Sequence, residues 1–340
     1  MAKRATIADL ARAAEVSMAT VDRVINRRLP VSGATAARVM AAAEAIGYHG
    51  AGLIRRRLAE APRRTFGFLL QKRHDSFYQG LAQALGEAVR QAGEIDGRAV
   101  IEFCDDIAPA VVAGRLRDLA PRVDALAVVA VDHPAVNEAV DAAARAGTPV
   151  FTLLSDLAAP GRAGTLAVDR RKAGRTAAWA ISRLAPRPGK IGILIGSHRY
   201  LSQELSEISL RSYIRELAPA FTVLEPLINL EDEGIAYRAV GELIAATPDL
   251  VGIYVAGGGA AGLVRAVRDT GAAPRLVCIC NELTPLTRGA LLDGTLAMLL
   301  GTPVTTLARR AVEAMERAVA GNAGRVEVLL PAEMMVAENL

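Results

Sequence analysis

From residue 65 onward, the sequence alternates short, continuous apolar runs with segments of helical periodicity. The apolar runs predict strands at 66–70, 100–103, 125–131, 150–154, 166–168, 190–195, 223–227, 250–255 and 276–280, with a further strand at 326–330. Helices are predicted between them, among others at 78–92, 134–146, 171–184, 205–217 and 237–246. Such alternation is typical of parallel sheets covered on both faces. The number of strands fits two doubly wound lobes better than one large sheet.

The first fifty residues follow a different pattern, with three short amphipathic helices. Thr6, Ser17 and Ser32 are expected N-caps, and Gly47 is expected to end the third helix. Two helices separated by a three-residue turn predict a helix-turn-helix unit, so the fold class is an all-α headpiece followed by an α/β core.

The second helix of this unit is expected to present Met18, Ala19, Asp22 and Arg23 away from the headpiece core. In the major groove, Arg23 is suited to a bidentate contact with guanine, and Met18 and Ala19 to apolar contacts. The short polar side chains suited to phosphate contacts are Thr6, Ser17, Thr20, Asn26 and Thr35. The alternative is a three-helix bundle whose polar face only meets water.

Charge is distributed unevenly along the chain. Residues 1–64 carry 12 Lys and Arg against 5 Asp and Glu, whereas the remainder carries 28 against 31. A basic segment is often only a solvated face, but together with a helix-turn-helix pattern it favours a nucleic-acid partner.

The segments ATIADLA (5–11), VSMATVDRVIN (16–26), VS (31–32) and AIGY (45–48) resemble the headpiece of the LacI/GalR family of transcriptional regulators. The resemblance implies a dimeric repressor of a pseudo-palindromic operator in double-stranded DNA, controlled by a small effector. It also implies that Met18, Ala19 and Arg23 read bases. Asp22 departs from the usual Ser, and Glu15 from the usual Gly or Asn of the turn.

The family resemblance also assigns a role to the segment after the headpiece. In the family this segment becomes a hinge helix on the operator, which implies that Leu58 enters the minor groove and that Arg55 lies beside phosphates. Gly50 and Gly52 make the free segment weakly helical, as suits folding on binding. The alternative is an ordinary flexible linker.

The body of the chain then resembles a periplasmic sugar-binding-protein fold, with three crossings between lobes. We expect the crossings near Val168, Leu296 and Arg325. The predicted boundaries are 1–49 for the headpiece, 50–64 for the hinge, 65–167 with 297–325 for lobe 1, and 168–296 with 326–340 for lobe 2.

Parallel sheets bind ligands at the carboxyl ends of their strands, so the effector is expected between the lobes. By the resemblance, the candidate effector-binding residues are Gln71, Phe77, Tyr78, Asp169, Arg199, Glu231, Asn281 and Glu282. Phe77 and Tyr78 suit stacking on a sugar ring or packing in the core, and Asp169 is alternatively a helix N-cap.

Two pocket positions depart from the family. Ser206 stands where an Arg is frequent, and Gly301 stands where Gln is usual. These departures leave the identity of the effector open and argue against assuming a known sugar. The expected class of effector is a monosaccharide or polyol, and the target genes and the choice between induction and corepression also stay open.

The sequence also permits two competing functions. Gly257, Gly259 and Gly262 satisfy the G-x-G-x-x-G pattern of a dinucleotide site after a predicted strand, which makes an NAD-dependent oxidoreductase one alternative. A solute-binding protein is the other. No catalytic His or Lys accompanies the glycines in a recognisable motif, so no enzyme activity, cofactor or metal is expected.

The remaining expectations concern location and assembly. No secretory signal and no apolar run of membrane-spanning length is evident, so a cytoplasmic protein without a membrane partner is expected. Cys104, Cys278 and Cys280 have neither zinc nor redox spacing and are expected to be buried and reduced. Without a C-terminal heptad repeat, a homodimer is expected rather than a tetramer.

Overall fold

The computed structural model describes residues 5–26, 31–52, 54, 61–321 and 324–340. Its first three helices are α1 (Ile7–Ala13), α2 (Met18–Asn26) and α3 (Gly33–Ala45). They pack around Leu10, Val21 and Val39, each fully buried. Thr6 caps α1 in a capping box with Asp9, which satisfies backbone N–H groups at the start of the helix. The predicted all-α headpiece is confirmed.

The rest of the described chain alternates strands and helices. The strands are β1 (Arg63–Gln71), β2 (Asp96–Cys104), β3 (Ala125–Val128), β4 (Val150–Leu153), β5 (Gly164–Val168), β6 (Lys190–Ile195), β7 (Thr222–Val223), β8 (Leu227–Ile228), β9 (Leu250–Val255), β10 (Val277–Cys280), β11 (Met298–Gly301), β12 (Val326–Leu330) and β13 (Glu333–Met335). The helices are α4 (Ser76–Gln91), α5 (Pro109–Leu119), α6 (Pro134–Arg145), α7 (Arg170–Leu184), α8 (Leu201–Leu217), α9 (Glu233–Ala246), α10 (Ala260–Asp269), α11 (Pro285–Leu292) and α12 (Val304–Val319).

The first lobe is a six-stranded sheet in the order β12-β5-β4-β3-β1-β2, and all of its strand pairs are parallel. α4 and α12 cover one face, and α5 and α6 cover the other. The continuous apolar strands follow from this arrangement, because a central strand covered on both faces has no solvent side. Phe66, Phe68 and Leu70, for example, are fully buried.

The second lobe is built on a sheet in the order β13-β11-β10-β9-β6-β7, with β8 also paired to β6. Here α7 and α8 pack on one face, and α9, α10 and α11 pack on the other. β13 is antiparallel to β11, whereas the other strand pairs are parallel. The predicted pair of doubly wound parallel lobes is confirmed.

Two lobe assignments from the sequence need correction. The segment 297–301, predicted for lobe 1, contains β11, which pairs with β10 in the second lobe. The segment 326–330, predicted for lobe 2, is β12, which pairs with β5 in the first lobe. At that pairing a Cβ on Gly164 would lie 2.3 Å from the Val326 carbonyl oxygen, so the close approach requires glycine. The second and third crossings therefore follow β11 and β12 rather than Leu296 and Arg325.

Three smaller observations bear on the remaining expectations. The free cysteines Cys104, Cys278 and Cys280 are buried. Among the described residues, no helix is both long and apolar enough to span a membrane. Within the same part of the chain, no group of three or more His, Cys, Asp and Glu side chains is arranged to hold a metal ion.

Candidate functional site

The second headpiece helix, α2, carries its exposed residues on one face. Met18, Ala19 and Arg23 are exposed, Met18 by 59%, whereas Val21 and Val24 are buried. The predicted base readers therefore share a surface that is free of headpiece contacts and is supported by a packed core. An exposed helix face of this kind is what the major groove accepts.

Asp22, the unusual residue of this helix, has a partner within α2. Asn26 Nδ2 donates a hydrogen bond to Asp22 Oδ1 at 2.6 Å, one turn away. The bond occupies part of the carboxylate that we expected to face DNA. Asp22 and Asn26, predicted for separate contacts, thus form one polar unit at the C-terminal part of the helix.

The hydroxyl groups predicted to contact phosphates lie near helix N-termini. Thr6 is the N-cap of α1, Ser17 Oγ accepts from Thr20 N at 3.1 Å, and Thr35 bonds Ser32 at the start of α3. Helix N-termini attract anions, so this placement suits phosphate contacts. Arg55 and Leu58, predicted to act in the hinge, lie outside the described residues.

A second candidate site lies between the lobes, at the carboxyl ends of their strands. It is a cavity of about 60 Å³, lined by Phe77, Tyr78, Val129, Leu154, Ser155, Arg170, Tyr200, Ser202, Gln203, Glu231, Ala256, Gly257, Gly258, Asn281, Glu282 and Thr302. Small-molecule pockets generally enclose roughly 300 Å³ or more. A sugar-sized ligand therefore enters only if the lobes part or the side chains rearrange.

Gln71, at the end of β1, ties the two lobes together. It is 1% exposed, and its Oε1 accepts from Tyr78 Oη at 3.2 Å and from Tyr200 Oη at 3.1 Å. Its Nε2 donates to the Val129 carbonyl oxygen at 3.2 Å. Tyr78 belongs to the first lobe and Tyr200 to the second, so the predicted pocket residue Gln71 is shared by both. Burial and the neighbouring acidic groups raise the pKa of both tyrosines, which keeps them as donors.

Lys72 and Glu231 form a second bridge between the lobes. Lys72 Nζ donates to the Glu231 carbonyl oxygen at 2.7 Å and lies 3.5 Å from its Oε2. The Glu231 carboxylate, with a side chain 8% exposed, also accepts from Gln203 Nε2 at 2.7 Å and from Gly258 N at 3.0 Å. Glu231 is thus fixed from both sides of the cleft.

The glycine-rich turn between β9 and α10 packs against these same groups. A Cβ on Gly257 would lie 2.4 Å from Gln203 Nε2, and a Cβ on Gly258 would lie 2.4 Å from Glu231 Oε2. Gly259 has φ +100°, which glycine adopts readily. The Gly258 N–H, of the kind that a dinucleotide site aims at pyrophosphate, is directed at Glu231 instead. Packing and backbone conformation thus account for Gly257, Gly258 and Gly259 within the protein itself.

Asn281 and Glu282 follow β10 and reach the cavity, as expected. Asn281 is held by the protein, since its Nδ2 donates to the Ala256 carbonyl oxygen at 2.9 Å and its Oδ1 accepts from Tyr254 Oη at 3.1 Å. Glu282 is different. Burial, and then the negative charges of Glu231 and Asp75, raise the pKa of its carboxyl to about 8.

Of the eight predicted effector residues, three do not line the cavity, namely Gln71, Asp169 and Arg199. Gln71 is bonded to the lining residues Tyr78 and Tyr200, whereas the other two have different surroundings. Asp169 is the N-cap of α7, where it accepts from Lys172 N at 3.1 Å, which is the alternative that the sequence left open. The Arg199 side chain is exposed, and only its carbonyl oxygen reaches the other lobe, by accepting from Asp132 N at 2.8 Å. A helix start and an exposed loop explain both differences.

Sequence reasoning missed several polar residues of the cleft, namely Lys72, Arg170, Tyr200 and Gln203. Lys72 and Arg170 directly follow predicted residues, so their position at strand ends was the available signal. Tyr200 and Gln203 lie at the start of α8 and gave no comparable signal. Ser206, where the family frequently has Arg, belongs to α8, and the arginine that lines the cavity is Arg170 of α7.

Backbone conformation also distinguishes the cleft. Among the described residues, five non-glycine residues have positive φ, and four of them, Lys72, Leu154, Leu230 and Glu231, lie in or beside the cavity. Their φ values of 46°, 65°, 52° and 62° belong to the left-handed region, which is unfavourable for residues with a Cβ. The cleft therefore holds strained backbone in place.

Comparison with known families gives two matches that together span most of the chain. Residues 66–323 match the family described as periplasmic binding protein domain. Residues 6–50 match the family described as bacterial regulatory proteins, lacI family. A comparison with curated protein sequences gives no match.

Comparison with solved structures finds solute-binding proteins. One from Agrobacterium vitis, solved with alpha-D-tagatopyranose, has a TM-score of 0.75 and 17% identity over 81% of this chain and 95% of that one. Another from Burkholderia graminis, solved with D-arabinose, has a TM-score of 0.75 and 18% identity over 82% and 98%. A glucose-galactose binding protein from Geobacillus stearothermophilus has a TM-score of 0.72 and 17% identity over 81% and 99%. At these identities the similarity establishes the fold of the core.

Proposed function

Since the chain belongs to the LacI/GalR family, which joins a lacI-type DNA-binding domain to a periplasmic binding protein domain, we propose that it is a transcriptional repressor governed by a small polyhydroxy effector. The observation that carries the proposal is the presence of two sites in one chain. One is the exposed face of α2, and the other is the polar cavity between the lobes.

A regulator accounts for the chain better than a solute-binding protein of the same fold. A transport protein would not require an exposed recognition helix on a separately packed headpiece. Conversely, a DNA-binding headpiece alone would not require a cavity lined by Phe77 together with Asn281, Thr302 and Glu282. Aromatic faces and hydrogen-bonding side chains together are suited to sugars and polyols.

The mechanism we propose couples the two sites through movement of the lobes. In a homodimer acting in the cytoplasm, two headpieces lie at the spacing of two operator half-sites. Effector binding replaces some of the bonds that Lys72, Gln71, Glu231 and Tyr200 make across the cleft, and this shifts one lobe against the other. The shift changes the distance between the two hinge segments, so the headpieces leave the operator.

The effector acts only through its unequal affinity for the two arrangements of the lobes. Hydrogen bonds and an ion pair within the protein already hold the lobes together. The bonds that the ligand makes must therefore be more favourable in free energy than those it replaces. Induction, with release of DNA, is the direction we propose.

The test begins with selection of duplexes from a random-sequence library by the full-length protein. We expect an enriched pseudo-palindrome, bound with an affinity that falls steeply as salt rises. The selected duplex then serves as the probe for release by a panel of monosaccharides, polyols and NAD. Failure to enrich any sequence contradicts the regulator, and release or thermal stabilisation by NAD alone favours the oxidoreductase.

A further inference from the structure

One cationic side chain of the interlobe cavity has two buried nitrogens that lack hydrogen-bond partners. Arg170, the first residue of α7, lines the cavity, and its Nε and Nη1 atoms are buried without a hydrogen-bond partner. Burial lowers the pKa of this guanidinium, as expected for a charge whose hydration has been removed. Buried guanidinium groups are normally paired and hydrogen-bonded, since an unmade bond to a charged group is costly.

Of the neighbouring carboxylates, Asp169 and Glu231 already have partners, and Glu282 is largely uncharged. Asp169 accepts from Lys172 N and lies 3.3 Å from Lys172 Nζ. Glu231 is bonded by Gln203, Gly258 and Lys72. Glu282 has a pKa of about 8, so most of it is protonated at neutral pH. In the described part of the chain, Arg170 belongs to none of the ion pairs within 4 Å.

Two further features define what would complement Arg170. α7 begins at this residue, and a helix N-terminus favours negative charge. The opposite side of the cavity offers Phe77 and Tyr78, and Thr302 lies nearby. The cavity thus combines groups suited to a hydroxylated ring or chain with a guanidinium that lacks an anion.

We propose that the effector is an anionic sugar derivative, a sugar acid, whose carboxylate is bound by Arg170. The inference rests on the proposed function, because it specifies the ligand of the same cleft. A carboxylate matches the planar guanidinium and satisfies the unmade bonds. A phosphate ester shares the oxyanion chemistry, and the experiment separates the two.

The experiment measures binding to the full-length protein at pH 7 by calorimetry and thermal shift. The probes are matched pairs, galactonate and galacturonate against galactose, and gluconate and glucuronate against glucose, with glucose 6-phosphate as the phosphate arm. We expect the acid of at least one pair to bind ten times or more tightly than its neutral partner. Tighter binding of the phosphate ester supports the anionic class and assigns phosphate as the oxyanion. Release of the selected operator duplex should follow the same order.

Three variants test whether Arg170 is responsible for the preference for the acid. Arg170→Met should weaken binding of the acid by about 10- to 100-fold, the range for a lost hydrogen bond to a charged group. Arg170→Lys, which keeps the charge, should retain part of the preference. The matched control is Arg171→Met, since Arg171 is the next residue of α7 and is exposed. That variant should bind as the wild type does.

A measurement without ligand distinguishes a binding role of Arg170 from a purely structural one. Because two buried guanidinium nitrogens lack hydrogen-bond partners, Arg170→Met should keep or raise the melting temperature, and a fall of several degrees overturns the inference. An acid that binds Arg170→Met as well as the wild type overturns it too. Tight binding of a neutral sugar but not its acid overturns the inference and leaves the proposed function standing. If no compound binds or releases DNA, both fail.

Discussion

The recognition helix and the interlobe cleft use polar side chains in opposite ways. On α2, Met18, Ala19 and Arg23 are exposed, and the buried side chains of the headpiece core pack against the opposite face of the helix. In the cleft, Gln71 and Glu231 are buried and bonded to groups from both lobes. One site keeps its contact residues available for a large partner, and the other satisfies them internally until a small partner replaces the bonds.

In the headpiece, the residues proposed to contact DNA are not those that stabilise the fold. In the cleft, the same residues stabilise the closed arrangement and line or support the ligand site. A residue on the exposed face of α2 can be changed at little cost to folding. A residue that bridges the lobes contributes both to closing the cleft and to binding, so its replacement alters both. The following predictions test that separation, from the largest expected effect to the smallest.

Leu10→Ala should unfold the headpiece and leave the lobes intact. Leu10 is fully buried in the headpiece core, and a Leu→Ala change in such a position costs about 2–5 kcal/mol. Operator binding, measured by fluorescence anisotropy, should be lost while the thermal transition of the core persists. Ile7→Ala, at a position 40% exposed, is the control and should bind DNA. A lowered core transition in Leu10→Ala means that the two regions are not independent.

Lys72→Met should open the cleft. It leaves Glu231 buried without its cation, at a cost of about 2 kcal/mol after allowing for the partial exposure of Lys72. Small-angle scattering should show a larger radius of gyration, and adding Glu231→Gln should restore part of the stability. Lys172→Met removes an exposed lysine paired with Asp169 and should change neither quantity. Unchanged scattering in Lys72→Met removes the bridge from the mechanism.

Arg23→Ala should lower discrimination between the selected operator and random DNA by about 1–3 kcal/mol, without destabilising the headpiece. Arg23 is exposed on α2, so no packing is lost. Arg12→Ala, which removes an exposed arginine of α1, should keep the discrimination. If the affinity falls by the same factor for the selected operator and for random DNA, Arg23 contacts phosphates rather than bases.

Glu282→Gln should flatten the dependence of stability on pH. The folded-state pKa of Glu282 is about 8 against an ordinary 4.5, so its contribution is fully present below pH 4.5 and is lost as pH rises through 8. The wild type should lose at least about 1 kcal/mol more than the variant between pH 6 and 9. Chemical denaturation at both values measures this, and Glu316, with a pKa of about 7, titrates in both proteins. Parallel losses mean that Glu282 is normally ionised.

Glu15→Gly should stabilise the headpiece slightly. Glu15 has φ +53° in the turn before α2, and glycine removes a strain of about 0.5–1 kcal/mol. Glu15→Ala removes the charge but keeps the Cβ, so it should not reproduce the gain. Denaturant titration followed by headpiece helicity is the measurement, and equal effects of the two variants assign the change to charge.

The sequence predicted most of the sheet scaffold because its strands are buried on both faces. Strands β6 and β9 were predicted to the residue. The predicted strand 223–227 is instead two short strands, β7 and β8, separated by a segment that contains Pro226, which cannot donate to the ladder. β11 was not predicted, because its four residues were interpreted as part of a crossing between the lobes. The predicted lobe boundaries were therefore wrong at this point.

In the cleft, position along a strand was the useful signal. Gln71 ends β1, and Asn281 and Glu282 follow β10, so their location at the carboxyl ends of the strands could be read from the sequence, whereas their binding of an effector stays a prediction. The bond between Lys72 and Glu231 joins residues 159 positions apart, and no local pattern encodes it. Arg170 was missed because an arginine at a helix start is ordinarily solvated, whereas two guanidinium nitrogens of Arg170 are buried in the folded protein.

The left-handed residues around the cleft also constrain how this protein can change. Glycine or asparagine at Lys72 or Glu231 would relieve the backbone but would remove a bond across the cleft, and at Leu154 it would remove a buried side chain. Leu230 is 59% exposed, so of these four residues it alone can be replaced with a net gain in stability. A selection for heat resistance alone should therefore change Leu230 and retain the other three, so thermostability can evolve without loss of the response to the effector.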